Sequence, residues 1–119
     1  MEPKRDSKFS ISPIGSILLV HISEEIDDTD INTLLDCLSK EIVRSSAKGI
    51  IVDLSNIDVV DSYLASKLSN IASIASLLKA KAVISGLRAP TIITLLEFGI
   101  KISGVDFAID VDHALERLM

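Results

Sequence analysis

The apolar positions of the chain change period several times, and each change marks an element. From Phe9 to Ile14 apolar and polar residues alternate (Phe9 and Ile11 against Ser10 and Ser12), the signature of a half-exposed edge strand. Pro13-Ile14-Gly15 reads as a turn. Residues 16–23 form a longer, mostly apolar strand, so the pair predicts an antiparallel hairpin. After the acidic stretch 24–30 the period becomes helical: Ile31, Leu34, Leu35, Leu38 and Ile42 recur along one side. Asp28, Thr29 or Asp30 can cap that helix, and Gly49 ends it or sits just beyond its end. Residues 50–54 are a continuous aliphatic run, as in a strand buried on both faces of a parallel sheet. Leu64, Leu68, Ile71, Ala75 and Leu78 step by four and three, the stripe of a second helix. Residues 82–84 form another aliphatic strand, ended by Ser85-Gly86. Pro90 suits the first turn of a third helix through Ile92, Ile93, Leu95, Leu96 and Phe98. Residues 107–109 form a last strand, and Asp110 or Asp112 caps a final helix containing Val111, Ala114, Leu115 and Leu118.

The order is therefore ββαβαβαβα. It predicts an α/β fold with a mostly parallel sheet of four to five strands, an antiparallel N-terminal edge hairpin and about four helices. Residues 1–8 are polar and charged and read as a flexible tail, leaving 9–119 as one domain. The 119 residues suffice for one core without disulfide or metal.

Composition narrows the function. Hydrophobic residues make up 48% of the chain but aromatics only 3%, so the core is aliphatic. With 12 Lys and Arg against 17 Asp and Glu the net charge is −5. A chain this acidic and poor in aromatics lacks both the basic surface and the stacking platforms of a nucleic-acid binder. No run reaches the ~20 apolar residues of a membrane span, and no signal peptide opens the chain. The expectation is a soluble, cytoplasmic domain.

The candidate chemistry is sparse. The five glycines are scattered and form no phosphate-binding loop. His21 and His113 are isolated, which argues against a metal site. Cys37, the one cysteine, reads as an inert thiol on the flank of the first helix. No cofactor is expected, and no acid–base pair suggests an enzyme. The acidic residues Glu24, Glu25, Asp27, Asp28 and Asp30 read as charge complementing a helix N-terminus; a metal-binding loop, though without EF-hand spacing, and a docking surface for a basic partner are the alternatives. Ser62, Ser66, Ser69, Ser73 and Ser76 repeat the second helix's apolar steps displaced by two residues. That is about 200° around the helix, so they face away from the core. This small-residue face is either a plain polar surface or a place where another protein approaches closely. Asp61-Ser62 opens the helix. A phosphoryl group on Ser62 would meet unpaired backbone N–H groups and the positive end of the helix dipole. It would also add charge beside Asp58 and Asp61.

The element order and the segment Ile51-Val-Asp-Leu-Ser-Asn-Ile-Asp-Val-Val-Asp61-Ser62 resemble the STAS domain of bacterial anti-sigma-factor antagonists, over residues 10–118. The resemblance implies that Ser62 is phosphorylated by a serine kinase of the anti-sigma-factor type, and that phosphorylation switches partners. Sporulation-type antagonists read Asp-Ser-Ser-Gly where this chain reads Asp61-Ser62-Tyr63-Leu64. The stretch from Ser85 to Ile100, with Thr94-Leu-Leu-Glu-Phe-Gly99-Ile100, is similar to the stressosome branch, and a bare domain with serine at the modified position is similar to its scaffold. That likeness implies a non-catalytic scaffold in stress signalling. It implies a large assembly with a sensor STAS paralogue, capture of a switch serine/threonine kinase that phosphorylation releases, and a resetting phosphatase. The expected partner-binding residues are Asp58, Asp61, Ser62, Tyr63 and Ser66. One competing reading is a simple antagonist that binds an anti-sigma factor directly. Another is a small α/β enzyme or nucleotide-binding domain using Ser62, Arg88 and the helix start at Pro90 to hold an anion.

Overall fold

The computed structural model describes residues 4–5 and 8–118. Six strands form one sheet among these residues: β1 (Lys4–Arg5), β2 (Phe9–Ile14), β3 (Ile17–Ile22), β4 (Gly49–Asp53), β5 (Lys81–Ser85) and β6 (Asp106–Ala108), in that spatial order. Four helices connect and follow them: α1 (Asp28–Ser45), α2 (Ser62–Leu77), α3 (Ala89–Glu97) and α4 (Val111–Leu118). The expected five strands and four helices are present, and β1 adds a sixth strand. Of residues 1–8, read from sequence as a tail, 1–3 and 6–7 lie outside the described residues, while Lys4 and Arg5 pair with Ile11 and Ser10 of β2.

β2 and β3 form the antiparallel hairpin. Ile14 pairs with Ile17, so the turn is Gly15-Ser16, with Gly15 at φ +59°, rather than Pro13 to Gly15. Pro13 stays in β2, beyond the part that pairs with β1. The pairs β3·β4, β4·β5 and β5·β6 are parallel.

Each parallel strand lies beside the next in sequence, so every right-handed crossover advances in the same direction. Its helices therefore share one face. The main core lies there: Leu18, Val20 and Ile22 of β3, Ile50 and Val52 of β4 and Ile84 of β5 pack with Leu34, Leu38 and Ile42 of α1, Leu68 and Ile71 of α2 and Leu95 of α3. The alternate residues Ile17, Ile51 and Val83 point to the opposite face, where Ala114, Leu115 and Leu118 of α4 cover them. Gly49 permits that close approach, since a Cβ there would lie 3.0 Å from side-chain carbons of Ile17 and Leu118. The aliphatic run in β4 is thus buried on both faces, as its lack of alternation predicts.

α1 starts one residue before the expected caps. Asp27 accepts a hydrogen bond from the Asp30 backbone N–H at 2.9 Å, and Asp30 accepts one from the Asp27 N–H at 3.1 Å. This reciprocal capping box satisfies two N–H groups that the helix itself leaves unpaired. At the other end Ser46, in a left-handed conformation, closes α1, and Gly49 already belongs to β4.

Candidate functional site

The carboxyl ends of the parallel strands carry the loops, and the loop from β4 to α2 is pinned by its own apolar residues. Leu54, Ile57 and Val60 are buried, so Asp58, Val59, Asp61 and Ser62 between and after them are held outward. A second anchor comes from α3: the buried Thr91 hydroxyl donates to the Asp58 carbonyl at 2.9 Å. The Arg88 guanidinium pairs with the Asp58 carboxylate. Both side chains of this pair remain more than half exposed, so it fixes their place on the surface without closing either off.

Asp61, not Ser62, caps α2. Its carboxylate accepts the Leu64 N–H at 2.8 Å, and Ser62 is the first helical residue, exposed to solvent. Tyr63 follows, half-exposed. It lines the same groove as Asp28 of α1, and the Lys67 ammonium lies 5.4 Å from its ring centre. Removal of the hydroxyl from water, then the Asp28 and Asp61 charges, raise the Tyr63 phenol above its ordinary range. Ser66 lies one turn beyond Ser62 and is exposed on the same side of the helix. The five expected residues Asp58, Asp61, Ser62, Tyr63 and Ser66 therefore form one surface at the start of α2.

The serine face is not uniform. Ser66, Ser73 and Ser76 are exposed, but Ser69 accepts the Ser103 N–H at 3.0 Å and fastens the loop before β6 to α2. What local pattern did not reveal is the other wall of the site. The loop before α1 faces the α2 start across a groove of about 480 Å³. Its floor is Ile26, Ile31, Ile57 and Leu64, and its rim carries the carboxylates Glu24, Asp28, Asp58 and Asp61. The acidic stretch thus divides by role: Asp27 and Asp30 cap α1, while Glu24 and Asp28 line the groove. Only the pairing of the two strand ends, β3 beside β4, could have signalled this.

The remaining candidates lie elsewhere. His21 is within 3.3 Å of Asp53 and 3.1 Å of Asn56, a polar cluster at the ends of β3 and β4. His113 accepts the Ile109 N–H at 3.1 Å. Cys37 is partly buried against the core side of α1. Among the described residues no cluster of three or more His, Cys, Asp or Glu could hold a metal, and no helix is long and apolar enough to cross a membrane.

Known proteins share this arrangement. RsbS of Moorella thermoacetica, solved as a serine-to-glutamate variant, is 28% identical, with 94% of this chain and 95% of that chain covered and a TM-score of 0.79. A chain from a structure describing the molecular architecture of the stressosome, a signal integration and transduction hub, is 29% identical, covering 91% and 94% at a TM-score of 0.78. The uncharacterized protein YezB of Bacillus subtilis (strain 168) is 29% identical over 85 residues, 71% of this chain and 87% of that protein. The model of the STAS domain matches residues 8–116, taking in every element from β2 to the last turns of α4, and the chain belongs to that family.

Proposed function

We propose that this protein is a non-catalytic, phosphorylatable interaction module of the stressosome and anti-sigma-antagonist kind. In this reading it acts in the cytoplasm as a scaffold with a sensor STAS paralogue. It holds a switch serine/threonine kinase and releases it when Ser62 is phosphorylated, and a phosphatase resets the state. The likeness to RsbS and to the stressosome chain over more than nine-tenths of the sequence supports the general role.

One observation carries the specific mechanism. Because Asp61 supplies the cap, the Ser62 hydroxyl is exposed and is not needed to start α2. A phosphoryl group can be added there without breaking the fold. It would stand at the positive end of α2 and bring roughly −2 charge beside Asp58 and Asp61. The change is local, large and confined to the surface that a partner would contact, which is what a binding switch requires.

The test is phosphorylation by the cognate switch kinase with ATP. One phosphate should be incorporated, and Ser62→Ala should abolish it while still capturing the kinase. Ser62→Asp should weaken capture, though less than phosphorylation does, since one carboxylate carries half the charge. Labelling that persists in Ser62→Ala would place the modification elsewhere. Undiminished capture by authentically phosphorylated protein would refute the switch.

A further inference from the structure

The loop after β5 lies next to the loop after β4, because the two strands are parallel neighbours and the Leu54 N–H donates to the Ser85 carbonyl at 2.9 Å. The start of α3 closes the same contact. Thr91 holds the Asp58 carbonyl, and Arg88, which precedes α3, pairs with the Asp58 carboxylate. Ser62 is four residues beyond Asp58, so their Cα atoms are at most about 14 Å apart, and both side chains are exposed. Arg88 and Asp58 are 54% and 65% exposed, and an ion pair this open to water is weak. It yields to a stronger partner brought near. The charged groups around Ser62 are Asp58 and Asp61 of its own loop, Arg88 at α3, Asp28 and Glu24 across the groove, and Lys67 on α2. Lys67 is five residues on, about 140° round the helix, with its ammonium 5.4 Å from the Tyr63 ring centre. Arg88 is thus the cation placed to meet a group on Ser62.

We infer that Arg88 receives the phosphoryl group: once Ser62 is modified, the guanidinium leaves Asp58 and pairs with the phosphate. The inference rests on the modification of Ser62 proposed above. Charge and shape both favour the exchange. A phosphoserine carries about −1.5 to −2 at neutral pH, against −1 for the Asp58 carboxylate, and offers three acceptor oxygens. The guanidinium fork engages two of them at once. No side chain caps α3, so the N–H groups at its start add positive potential on the side from which Arg88 comes. The exchange has a consequence for the groove, because Asp58 lines it and Ser62 does not. In the unmodified chain Arg88 neutralises one carboxylate of the rim. In the phosphorylated chain Asp58 is left bare, and the rim gains a negative charge although the phosphoryl group stands outside it. Arg88 is a positioning residue in this scheme. It carries the effect of the modification from Ser62 to the wall that α2 shares with the loop before α1.

The test uses the full chain with phosphoserine placed at position 62 during translation, so that no kinase is needed. Phosphorus NMR follows the second ionisation of the phosphate, whose unperturbed pKa is about 6. A guanidinium held against the phosphate favours the dianion, so Arg88→Gln should raise that pKa by at least about 0.5. Arg88→Lys keeps the charge but not the fork and should fall between the two. Lys79→Gln removes the same charge from an exposed position beyond the far end of α2 and should leave the value within about 0.1 of wild type. Thermal melts of all three variants should match wild type, since both side chains already face solvent. Equal ionisation in wild type and Arg88→Gln would overturn the inference, and so would an equal rise from Lys79→Gln. Labelling of Ser62 by the kinase, and release of the kinase by the phosphorylated chain, are measured separately. A failure there refutes the proposed switch, whereas the Arg88 contact is read without the kinase and stands or falls on the titration.

Discussion

Replacing Asp61 separates the residue that starts α2 from the residue that is free to be modified. Asp61→Ala removes the carboxylate that accepts the Leu64 N–H at 2.8 Å. Loss of such a cap costs about 1 kcal/mol, within a range of about 0.5–2. Unfolding entropy near the midpoint is about 2.1 cal/mol/K per residue, or roughly 0.25 kcal/mol/K for a chain of this length. The melting temperature should therefore fall by about 4 °C. Asp61→Asn, which keeps an acceptor of the same shape, should melt within about 1 °C of wild type because Asn caps as well as Asp. Ser62→Ala should be neutral or slightly stabilising, since it removes no hydrogen bond from the helix start and Ala is the better helix former. Thermal unfolding followed by circular dichroism at neutral pH distinguishes the three. A Ser62→Ala variant destabilised as much as Asp61→Ala would refute the division of roles. The serine would then be part of the cap, and phosphorylation there would perturb the fold rather than the surface alone.

Three other outcomes follow from the geometry. Gly86 has φ +82°, and a Cβ there would lie 2.8 Å from Asp53 Oδ1 and 2.9 Å from the Ser55 nitrogen. Gly86→Ala should therefore cost more than the ~1–2 kcal/mol of a left-handed L-residue, read as a drop in the urea midpoint; an unchanged midpoint would contradict the close approach. Tyr63 is the single tyrosine in a chain without tryptophan, so its ionisation can be followed directly by absorbance. It should titrate above the ordinary phenol range, and Asp28→Asn should bring it back toward that range. Asp30 is held below the usual carboxylate range first by the Asp27 N–H and also by Lys8. Its folded pKa lies below its unfolded value, so its stabilisation is present above the unfolded pKa and is lost as pH falls through the folded one. The difference in melting temperature between wild type and Asp30→Asn should accordingly be largest near neutrality and shrink in acid; a constant difference would mean the carboxylate's charge plays no part.

Local pattern alone determined the order of elements from β2 onward, the two-sided burial of β4, the single stripe of α2 and the placement of Asp61 and Ser62 at a helix start. These are properties that side-chain periodicity and capping chemistry report from neighbours in sequence. The exposed small residues at Ser66, Ser73 and Ser76 were readable for the same reason, whereas Ser69 was not, because its partner Ser103 is 34 positions away. Only the tertiary structure decided that Glu24 and Asp28 join Asp58 and Asp61 around one groove, and that Arg88 pairs with Asp58. It also decided where the apolar excess goes. Periodicity shows that α3 has apolar residues but not how much of the helix the sheet can cover. With the crossovers all winding one way, α3 reaches the last strand, beyond which, among the described residues, no strand lies to cover Ile92, Leu96 and Phe107. Burial depends on which elements become neighbours, and that is settled by the topology of the whole chain.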